Sequence, residues 1–292
     1  MMILNAAQKH RFHLDGLILL DRIIDDDTVD VLRDAFDHIF NGEFETGTMP
    51  DEVNWQQGKS DPELTRQICN AWKANRKIAS VILSADIGKM VAELMDWPGV
   101  RVMQDNAIWK PEGAKSLGYH QDNAYLSWFK PAEICTVWIA LDDIGAENGT
   151  MELVRGSHRW QHLKPEGEFH APQDYRASMM KYARIEGVDP DIVPVAVAKG
   201  SGSIHHGWIW HGSGANTGHS PRRSLVLHAM SSEVEFVREN FHLGTGPIYS
   251  RYARMGSSEM DENYFPIIWR NDGYASAGIE QHIRGSEVTE PD

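Results

Sequence analysis

Residues 199–217, KGSGSIHHGWIWHGSGANT, are the segment from which we first predict the fold of this chain. A glycine-rich turn leads into a mostly apolar segment that ends at a second glycine-rich turn, which is typical of a β-strand between two turns. Side chains alternate along a strand, so every second residue shares a face. One face carries Ile209, His211 and Ser213, and the other carries His206, Trp208 and Trp210. We therefore expect His211 to face a site and the two tryptophans to face the core.

Segments of the same kind recur along the chain after Pro98. They are short, apolar and separated by Gly, Asn and Asp, which favours an antiparallel sandwich or barrel. The predicted strands are 100–110, 134–141, 150–154, 204–211 and 224–230. Cys135, inside one of these strands, is expected to be an inert core residue.

The first hundred residues are predicted to be mostly helical. The predicted elements are a short buried strand at 17–20, a helix that begins after 25–27, a loop over 42–62 and a second helical stretch over 62–95. We therefore expect a mainly β fold with flanking α-helices.

Composition excludes several classes of protein. Lys and Arg total 28 against 42 Asp and Glu, which gives a formal net charge of −14. Such an excess of negative charge repels nucleic acid and anionic membrane surfaces, so neither is expected as a partner. No apolar run reaches the length of about 18 residues that a spanning helix needs, and the start lacks the features of a secretory signal. Since only two cysteines are present, a disulfide framework is excluded, and we expect a cytoplasmic protein of enzyme size whose oligomeric state is open.

Two His-x-Asp pairs are candidates for a metal site, because imidazole and carboxylate together bind transition metals. Chance alone gives about one such pair in a chain with 14 histidines, so the context must decide between them. His13 and Asp15 lie where a helix gives way to a strand, and we expect them to act in a turn or cap. His120 and Asp122 lie in the extended segment GYHQDNAYLSW, where positions i and i+2 point the same way and can share one ion.

His211 is the candidate third ligand, and a candidate anion-binding residue follows it. Arg222 opens the next predicted strand, eleven residues after His211. Antiparallel neighbours would bring the start of that strand close to the end of the previous one. An arginine there can clamp a carboxylate with two hydrogen bonds beside the metal. Arg223 should point the other way, because adjacent side chains of a strand alternate.

The order and spacing of His120, Asp122, His211 and Arg222 resemble those of the phytanoyl-CoA dioxygenase family of Fe(II)- and 2-oxoglutarate-dependent oxygenases. Other segments carry the same resemblance over about residues 8–230. They are Phe12, Asp15 and Gly16 in the opening, 137–143 and 147–151 in the central strands, 155–158 (with Arg155 where the family usually has proline), 211–216 and Pro221.

The resemblance implies a double-stranded β-helix, a cupin-like jelly-roll barrel with Fe(II) in its mouth and supporting helices before it. His120, Asp122 and His211 would be the metal ligands. Such a triad of two histidines and one carboxylate leaves coordination positions open for 2-oxoglutarate and O2. Because a carboxylate ligand is present, no halide position is expected on the iron, and hydroxylation or a related oxidation is favoured over halogenation.

The resemblance also assigns residues to the co-substrate and substrate. Arg222 would bind the distal carboxylate of 2-oxoglutarate, and Ser213 would donate a hydrogen bond to it. Trp138 would pack on the co-substrate. Gln104 would lie near the substrate.

We expect a single domain over residues 1–292. Its parts would be a helical layer over about 1–97, a jelly-roll core over about 98–232 and a C-terminal tail over about 233–292. Residues 158–190 and the tail are candidate lids, because a long aperiodic segment in a compact domain is often a functional covering loop. Tyr125 and Trp128, which follow the metal pair, are candidate pocket walls.

The predicted activity is oxidation of a C–H bond of a small organic molecule, with decarboxylation of 2-oxoglutarate to succinate. Two alternatives stay open. One is a cupin-type metalloenzyme that does not use 2-oxoglutarate, against which the position of Arg222 argues. The other is a non-catalytic jelly-roll binding protein.

Overall fold

The computed structural model describes residues 4–161, 168–238 and 244–285. The strands in these residues are β1 (Leu17–Leu20), β2 (Glu52–Val53), β3 (Arg66–Cys69), β4 (Gly99–Lys110), β5 (Leu117–His120), β6 (Phe129–Lys130), β7 (Ile134–Ala140), β8 (Met151–Val154), β9 (Ile192–Pro194), β10 (Gly202–His206), β11 (His211–Ser213), β12 (Arg222–Ser231), β13 (Glu235–Phe236) and β14 (Ile267–Arg270). The α-helices are α1 (Ala6–Asp15), α2 (Asp26–Phe40), α3 (Arg76–Ile82), α4 (Ala85–Met95), α5 (Ala177–Glu186), α6 (Gly246–Tyr249) and α7 (Ile279–Arg284).

The strands form two main antiparallel sheets. The larger sheet has the order β1-β10-β7-β12-β4-β3-β2, with β14 paired to β4, and the smaller sheet has the order β5-β11-β8-β9. A further two-stranded sheet pairs β13 with β6. Side chains of both main sheets pack together in one apolar cluster, to which the larger contributes Trp138 and Val226 and the smaller Met151 and Leu153. The mainly β architecture predicted from the short apolar segments is confirmed.

Helices cover the other face of the larger sheet. The helix α2 begins where the Asp25 side chain accepts a hydrogen bond from the backbone N–H of Thr28 at 2.8 Å. Two further aspartates in its first turn stabilise the helix, because their negative charges interact favourably with the positive end of the helix dipole. Its buried face joins the sheet in a single core cluster that includes Val29, Leu32, Phe36, Val137, Ile204 and Leu225. No helix in the described part of the chain is long and apolar enough to cross a membrane.

The prediction of one helical stretch over 62–95 is wrong in its first part. Residues Arg66–Cys69 form β3, which pairs with β4 from Arg66 opposite Trp109 to Cys69 opposite Asn106. Glu52–Val53, inside the predicted loop 42–62, add a further short strand to this edge. A long partner strand supplies backbone hydrogen bonds that outweigh a weak local helix signal, which is why sequence periodicity missed β3.

The prediction of one strand over 204–211 is also wrong. The strand β10 ends at His206 in the larger sheet, and β11 begins at His211 in the smaller sheet. The chain turns at Gly207, where a Cβ atom would come 2.1 Å from Asn123 Oδ1, so a side chain does not fit. The alternation argument therefore applies only within β11, whose His211 and Ser213 line one pocket.

The tryptophans of this turn have different surroundings. Trp210 is buried and stacks on Tyr182 of α5 at 5.3 Å between ring centroids, as predicted for a core residue. Trp208 lies in the turn and is half-buried. Cys135 is fully buried and belongs to the core cluster beneath the helices.

The two candidate lids are described only in part. Residues 162–167 of the first, and 239–243 and 286–292 of the tail, lie outside the described residues. The first contains α5, which packs against β5, so it is not an aperiodic loop throughout. The tail contains α6, β14 and α7, and β14 pairs with β4 of the larger sheet. A covering role for either segment stays a prediction.

Candidate metal centre

The structure brings His120, Asp122 and His211 together at one end of a pocket between the two sheets. His120 is the last residue of β5 and lies opposite His211, the first residue of β11. The extended backbone of Gln121 keeps Asp122 on the same side as His120. Asp122 Oδ1 lies 3.4 Å from His120 Nε2 and 3.5 Å from His211 Nε2. The three ligand atoms lie within 4.8 Å of one another, which is close enough to share one ion.

Backbone carbonyls fix the orientation of both rings. His120 Nδ1 lies 3.0 Å from the carbonyl of Gly118, and His211 Nδ1 lies 3.0 Å from the carbonyl of Ile209. Each Nδ1–H therefore donates to a carbonyl, and each Nε2 lone pair is directed to the space shared with Asp122. Burial lowers the pKa of His211 to about 3, which keeps its imidazole neutral.

The carboxylate of Asp122 is held in its ionised form. Burial acts to raise its pKa, but the surrounding imidazoles and hydrogen bonds outweigh burial and hold the pKa well below its usual range. Two neutral imidazoles and one carboxylate form the donor set of non-haem Fe(II) oxygenases, so the residues fit a ferrous ion.

The same pocket, called the inner pocket here, ends at Arg222. Its wall includes the triad and the three other residues expected to touch the co-substrate or its surroundings, Trp138, Ser213 and Arg222. The guanidinium lies 5.8 Å from the centre of the Trp138 ring. Arg222 is only 3% exposed, and its Nε finds no hydrogen-bond partner among the described residues. Since buried polar groups are nearly always hydrogen-bonded, this guanidinium is suited to an anion that enters the pocket.

Lys110 is a second basic residue at this end, and it was not predicted from the sequence. It lies opposite Arg222 in the ladder between β4 and β12 and is fully buried. Its Nζ donates to Ser213 Oγ at 2.9 Å and to the carbonyl of Gly214 at 2.5 Å. Burial, with a smaller contribution from Arg222, lowers its pKa to about 6. Lys110 and Gln104 lie an even number of residues apart on β4, so alternation predicts a shared face, but only the pairing with β12 places Lys110 beside Arg222.

Gln104 lies elsewhere in the cavity system. It lines an adjoining pocket that shares six residues with the inner pocket: Gln67, Asn106, His120, Asp122, Phe169 and His228. The walls found only in this adjoining pocket are Met103, Gln104, Tyr125, Leu126, Ile134 and Thr245. Gln104 thus lines the pocket that adjoins the metal site, whereas Arg222 lines only the inner pocket.

The two candidate wall residues after the metal pair differ. Tyr125 lines the adjoining pocket, and its ring lies 6.2 Å from that of His120. The prediction for Trp128 is wrong, because this residue is fully buried among Phe129, Phe236 and Tyr249. Phe236 and Tyr249 are far away in sequence, so local alternation could not reveal this aromatic core.

Phe169 and His170 come from the first candidate lid and lie at the metal site. The Phe169 ring meets the His120 ring edge-on at 4.8 Å, and both residues line the inner pocket. Nothing in the local sequence marked them, because their approach depends on the packing of residues 168–172 against β5.

The residues that the sequence analysis placed outside the site, which are Arg223, His13 and Asp15, lie away from the pocket. Arg223 hydrogen-bonds Asp142 through its Nη2 at 2.8 Å and its Nε at 3.2 Å. His13 lies 3.7 Å from Asp96, and Asp15 pairs with Arg155. His13 and Asp15 therefore form contacts between α1 and neighbouring segments, away from the metal site.

A jelly-roll fold with two histidines, one carboxylate and a buried arginine at the other end of the pocket defines a class, the Fe(II)- and 2-oxoglutarate-dependent oxygenases. The family model described as phytanoyl-CoA dioxygenase (PhyH) matches residues 12–224. The chain belongs to this family.

Individual proteins agree with that placement. Phytanoyl-CoA dioxygenase, peroxisomal, of Rattus norvegicus is 25% identical over 246 residues, which cover 80% of this chain and 71% of the rat protein. Among solved structures, the epimerase SnoN in complex with Fe3+, α-ketoglutarate and nogalamycin RO superposes with a TM-score of 0.66 at 19% identity, covering 90% of this chain and 97% of SnoN. EctD from S. alaskensis with 2-oxoglutarate and 5-hydroxyectoine gives a TM-score of 0.65 at 19% identity, covering 80% of this chain and 78% of EctD. The expected family, fold and enzyme class are confirmed.

Proposed function

We propose that this chain uses Fe(II), 2-oxoglutarate and O2 to hydroxylate, or otherwise oxidise, a C–H bond of a small organic molecule. The observation that carries the proposal is the inner pocket itself. It has a metal-ligand triad at one end and a buried, unpartnered guanidinium nitrogen at the other. A dicarboxylate that chelates a metal through one end needs a cation at its other end, and this pocket offers both.

The triad residues would hold the iron. His120 and His211 would each ligate through Nε2, because their Nδ1 atoms are engaged by backbone carbonyls. Asp122 would ligate through Oδ1, since its Oδ2 already accepts a hydrogen bond from Thr136 at 2.9 Å. When bound, iron and 2-oxoglutarate activate O2 and supply the oxidant, with succinate and CO2 as the products of the co-substrate.

Arg222 would bind the distal carboxylate of 2-oxoglutarate, and Lys110 would add a second positive charge beside it. Ser213 accepts the hydrogen bond of Lys110, so its own hydroxyl proton is available for a carboxylate oxygen. Trp138 would form the wall along the co-substrate. The low exposure of Arg222 strengthens each of these contacts, because water screens them little.

The adjoining pocket is the proposed place of the substrate. It reaches the metal triad and is lined by both apolar and amide side chains, among them Leu126, Tyr125, Gln67, Gln104 and Asn106. A small molecule of mixed polarity fits such walls. Gln104 would be one of its hydrogen-bonding partners.

Succinate formation tests the proposal. The protein, supplied with Fe(II), 2-oxoglutarate, ascorbate and air, should form succinate slowly, and a screen of small molecules should identify compounds that accelerate it. His211→Ala should abolish the succinate, whereas His13→Ala should leave it unchanged. A protein that binds Fe(II) but forms no succinate and does not bind 2-oxoglutarate would favour the cupin-type metalloenzyme. A protein that binds neither would favour the non-catalytic binding protein.

A further inference from the structure

A chain of polar side chains crosses the larger sheet behind Asp122. Gln104, His228 and Thr136 are direct cross-strand neighbours on β4, β12 and β7. Their hydrogen bonds, together with those of Asn106, extend from the substrate side of the cavity to the metal carboxylate. All four of these side chains are buried.

The ionised carboxylate of Asp122 determines which atom is the donor in each of these hydrogen bonds. An ionised carboxylate only accepts, so the Thr136 hydroxyl must give its single proton to Asp122 Oδ2, at 2.9 Å. Thr136 Oγ1 must then accept from His228 Nδ1, at 3.0 Å. A neutral imidazole with its proton on Nδ1 has a lone pair on Nε2, and Asn106 Nδ2 lies 3.0 Å from that atom and donates to it.

The remaining links obey the same direction. Gln104 Nε2 donates to Asn106 Oδ1 at 2.7 Å, and the Tyr249 hydroxyl donates to Gln104 Oε1. Cys69 Sγ, 3.7 Å from Gln104 Nε2, favours the same orientation of the amide. Each of the five links therefore has one donor and one acceptor, with every donor directed towards Asp122.

Tyr249 connects the C-terminal tail to this row of hydrogen-bonded side chains. It lies in α6, is fully buried and stacks on Trp128 with 5.0 Å between ring centroids. The tail thus supplies the hydroxyl group at which this row of hydrogen bonds begins. The other elements of the tail, β14 and α7, lie on other parts of the fold. Only a covering role was predicted for this tail from the sequence, and no residue of it was expected near the metal site.

We propose that Tyr249, Gln104, Asn106, His228 and Thr136 form a positioning relay for the metal ligand Asp122. The relay occupies Oδ2 of Asp122 and leaves Oδ1 directed at the two histidine Nε2 atoms. It also holds His228 in its Nδ1–H tautomer, because only that tautomer accepts from Asn106 and donates to Thr136. The inference rests on the proposed function only in taking Asp122 as a metal ligand.

Thr136 offers a matched pair of variants for the metal end. Thr136→Val keeps the shape of the side chain and removes the hydroxyl, whereas Thr136→Ser keeps the hydroxyl. Loss of a hydrogen bond behind a metal ligand typically weakens metal binding about 10- to 100-fold. We expect that loss for Mn(II) binding to the metal-free protein in Thr136→Val, measured by calorimetry, and wild-type affinity within about threefold in Thr136→Ser. Cys135→Ala, on the opposite face of the same strand, controls for a general disturbance of β7.

Tyr249→Phe tests the far end. Without the phenol proton, the amides of Gln104 and Asn106 are free to reverse, and His228 can then carry its proton on Nε2. In protein with 15N-labelled histidine, the His228 ring nitrogens should report the Nδ1–H tautomer in the wild type and a mixture of tautomers in Tyr249→Phe. The affinity for Mn(II) should fall in this variant, but less than in Thr136→Val.

Three results would overturn the relay. The first is equal Mn(II) affinity of Thr136→Val and the wild type, and the second is an Nε2–H tautomer of His228 in the wild type. A wild-type protein that does not bind Mn(II) or Fe(II) at all would instead overturn the proposed function. Equal losses of affinity in Thr136→Val and Cys135→Ala would reduce Thr136 to a purely structural residue, which also contradicts the relay.

Discussion

The chain contains the sequence His-x-Asp twice, and the structure gives the two copies different surroundings. His13 and Asp15 lie in the last turn of α1, where residues two apart point in different directions. His120 and Asp122 flank an extended residue at the end of β5, so their side chains converge. A neighbouring strand then adds His211 to the second pair only. Identical spacing therefore produces a metal site only where the backbone is extended and a third ligand comes from an adjacent strand.

The largest expected difference between the two pairs is in metal binding. His211→Ala or Asp122→Ala removes one of three ligands and should reduce iron content after anaerobic loading to background, with an unchanged circular dichroism spectrum. His13→Ala should retain the iron content of the wild type. Wild-type iron content in His211→Ala would show that the ion is held elsewhere.

Arg222 and Arg223 extend the comparison to the other end of the pocket. Arg222→Ala should cost about 2–4 kcal/mol in binding of 2-oxoglutarate, or roughly thirty- to a thousandfold in affinity, because a desolvated charge pair is lost. Arg223→Ala should hardly change that affinity, since its guanidinium is engaged by Asp142. Calorimetric titration with 2-oxoglutarate in the presence of Mn(II) measures both. Equal losses in the two variants would contradict the assignment of Arg222.

Lys110 should make binding of 2-oxoglutarate depend on pH. Its pKa of about 6 in the free protein means that it is charged below pH 6 and neutral above. A bound carboxylate raises this pKa, so binding takes up a proton in the window above pH 6. The affinity should then fall with rising pH, by at most about tenfold per pH unit.

Lys110→Met should bind 2-oxoglutarate more weakly at pH 6 and lose this pH dependence. Proton uptake is measured by calorimetry in two buffers with different heats of ionisation. A wild-type affinity that is constant between pH 6 and pH 8, without proton uptake, would contradict the role of Lys110.

The smallest effect is expected at the first His-x-Asp pair itself. Asp15→Asn weakens a partly exposed ion pair with Arg155, and such pairs contribute about 1 kcal/mol or less. The free energy of unfolding should decrease by that amount in urea titrations, with unchanged iron binding. A loss of iron in Asp15→Asn would mean that the two pairs are not independent.

The residues of the site that the sequence could predict share a local signal. His120 and Asp122 have strand spacing, His211 ends a glycine-bounded segment, and Arg222 opens the following strand. The residues that it missed depend on contacts between distant segments. Lys110 lies opposite Arg222 only because β4 and β12 pair in one register, and Thr136 reaches Asp122 from a different sheet.

For the fold as well, the elements with a local sequence signal were predicted, and those that depend on distant contacts were not. The strands β4, β7, β8 and β12 and the helix α2 follow from apolar runs and a cap. The strand β3 was missed because it is stabilised by pairing with β4. The break between β10 and β11 was missed because the apolar pattern continues on both sides of Gly207, where the chain turns. Trp128 was placed wrongly because its neighbours come from the C-terminal tail.

Anaerobic titration of the wild-type protein with Fe(II) and then 2-oxoglutarate would show whether the co-substrate chelates an iron ion held by His120, Asp122 and His211. Chelation of Fe(II) by 2-oxoglutarate produces a visible charge-transfer band. We expect this band to appear with one equivalent of each, to be absent in His211→Ala, and to require far more 2-oxoglutarate in Arg222→Ala. Tight binding of Fe(II) without any band at saturating 2-oxoglutarate would contradict the proposed function.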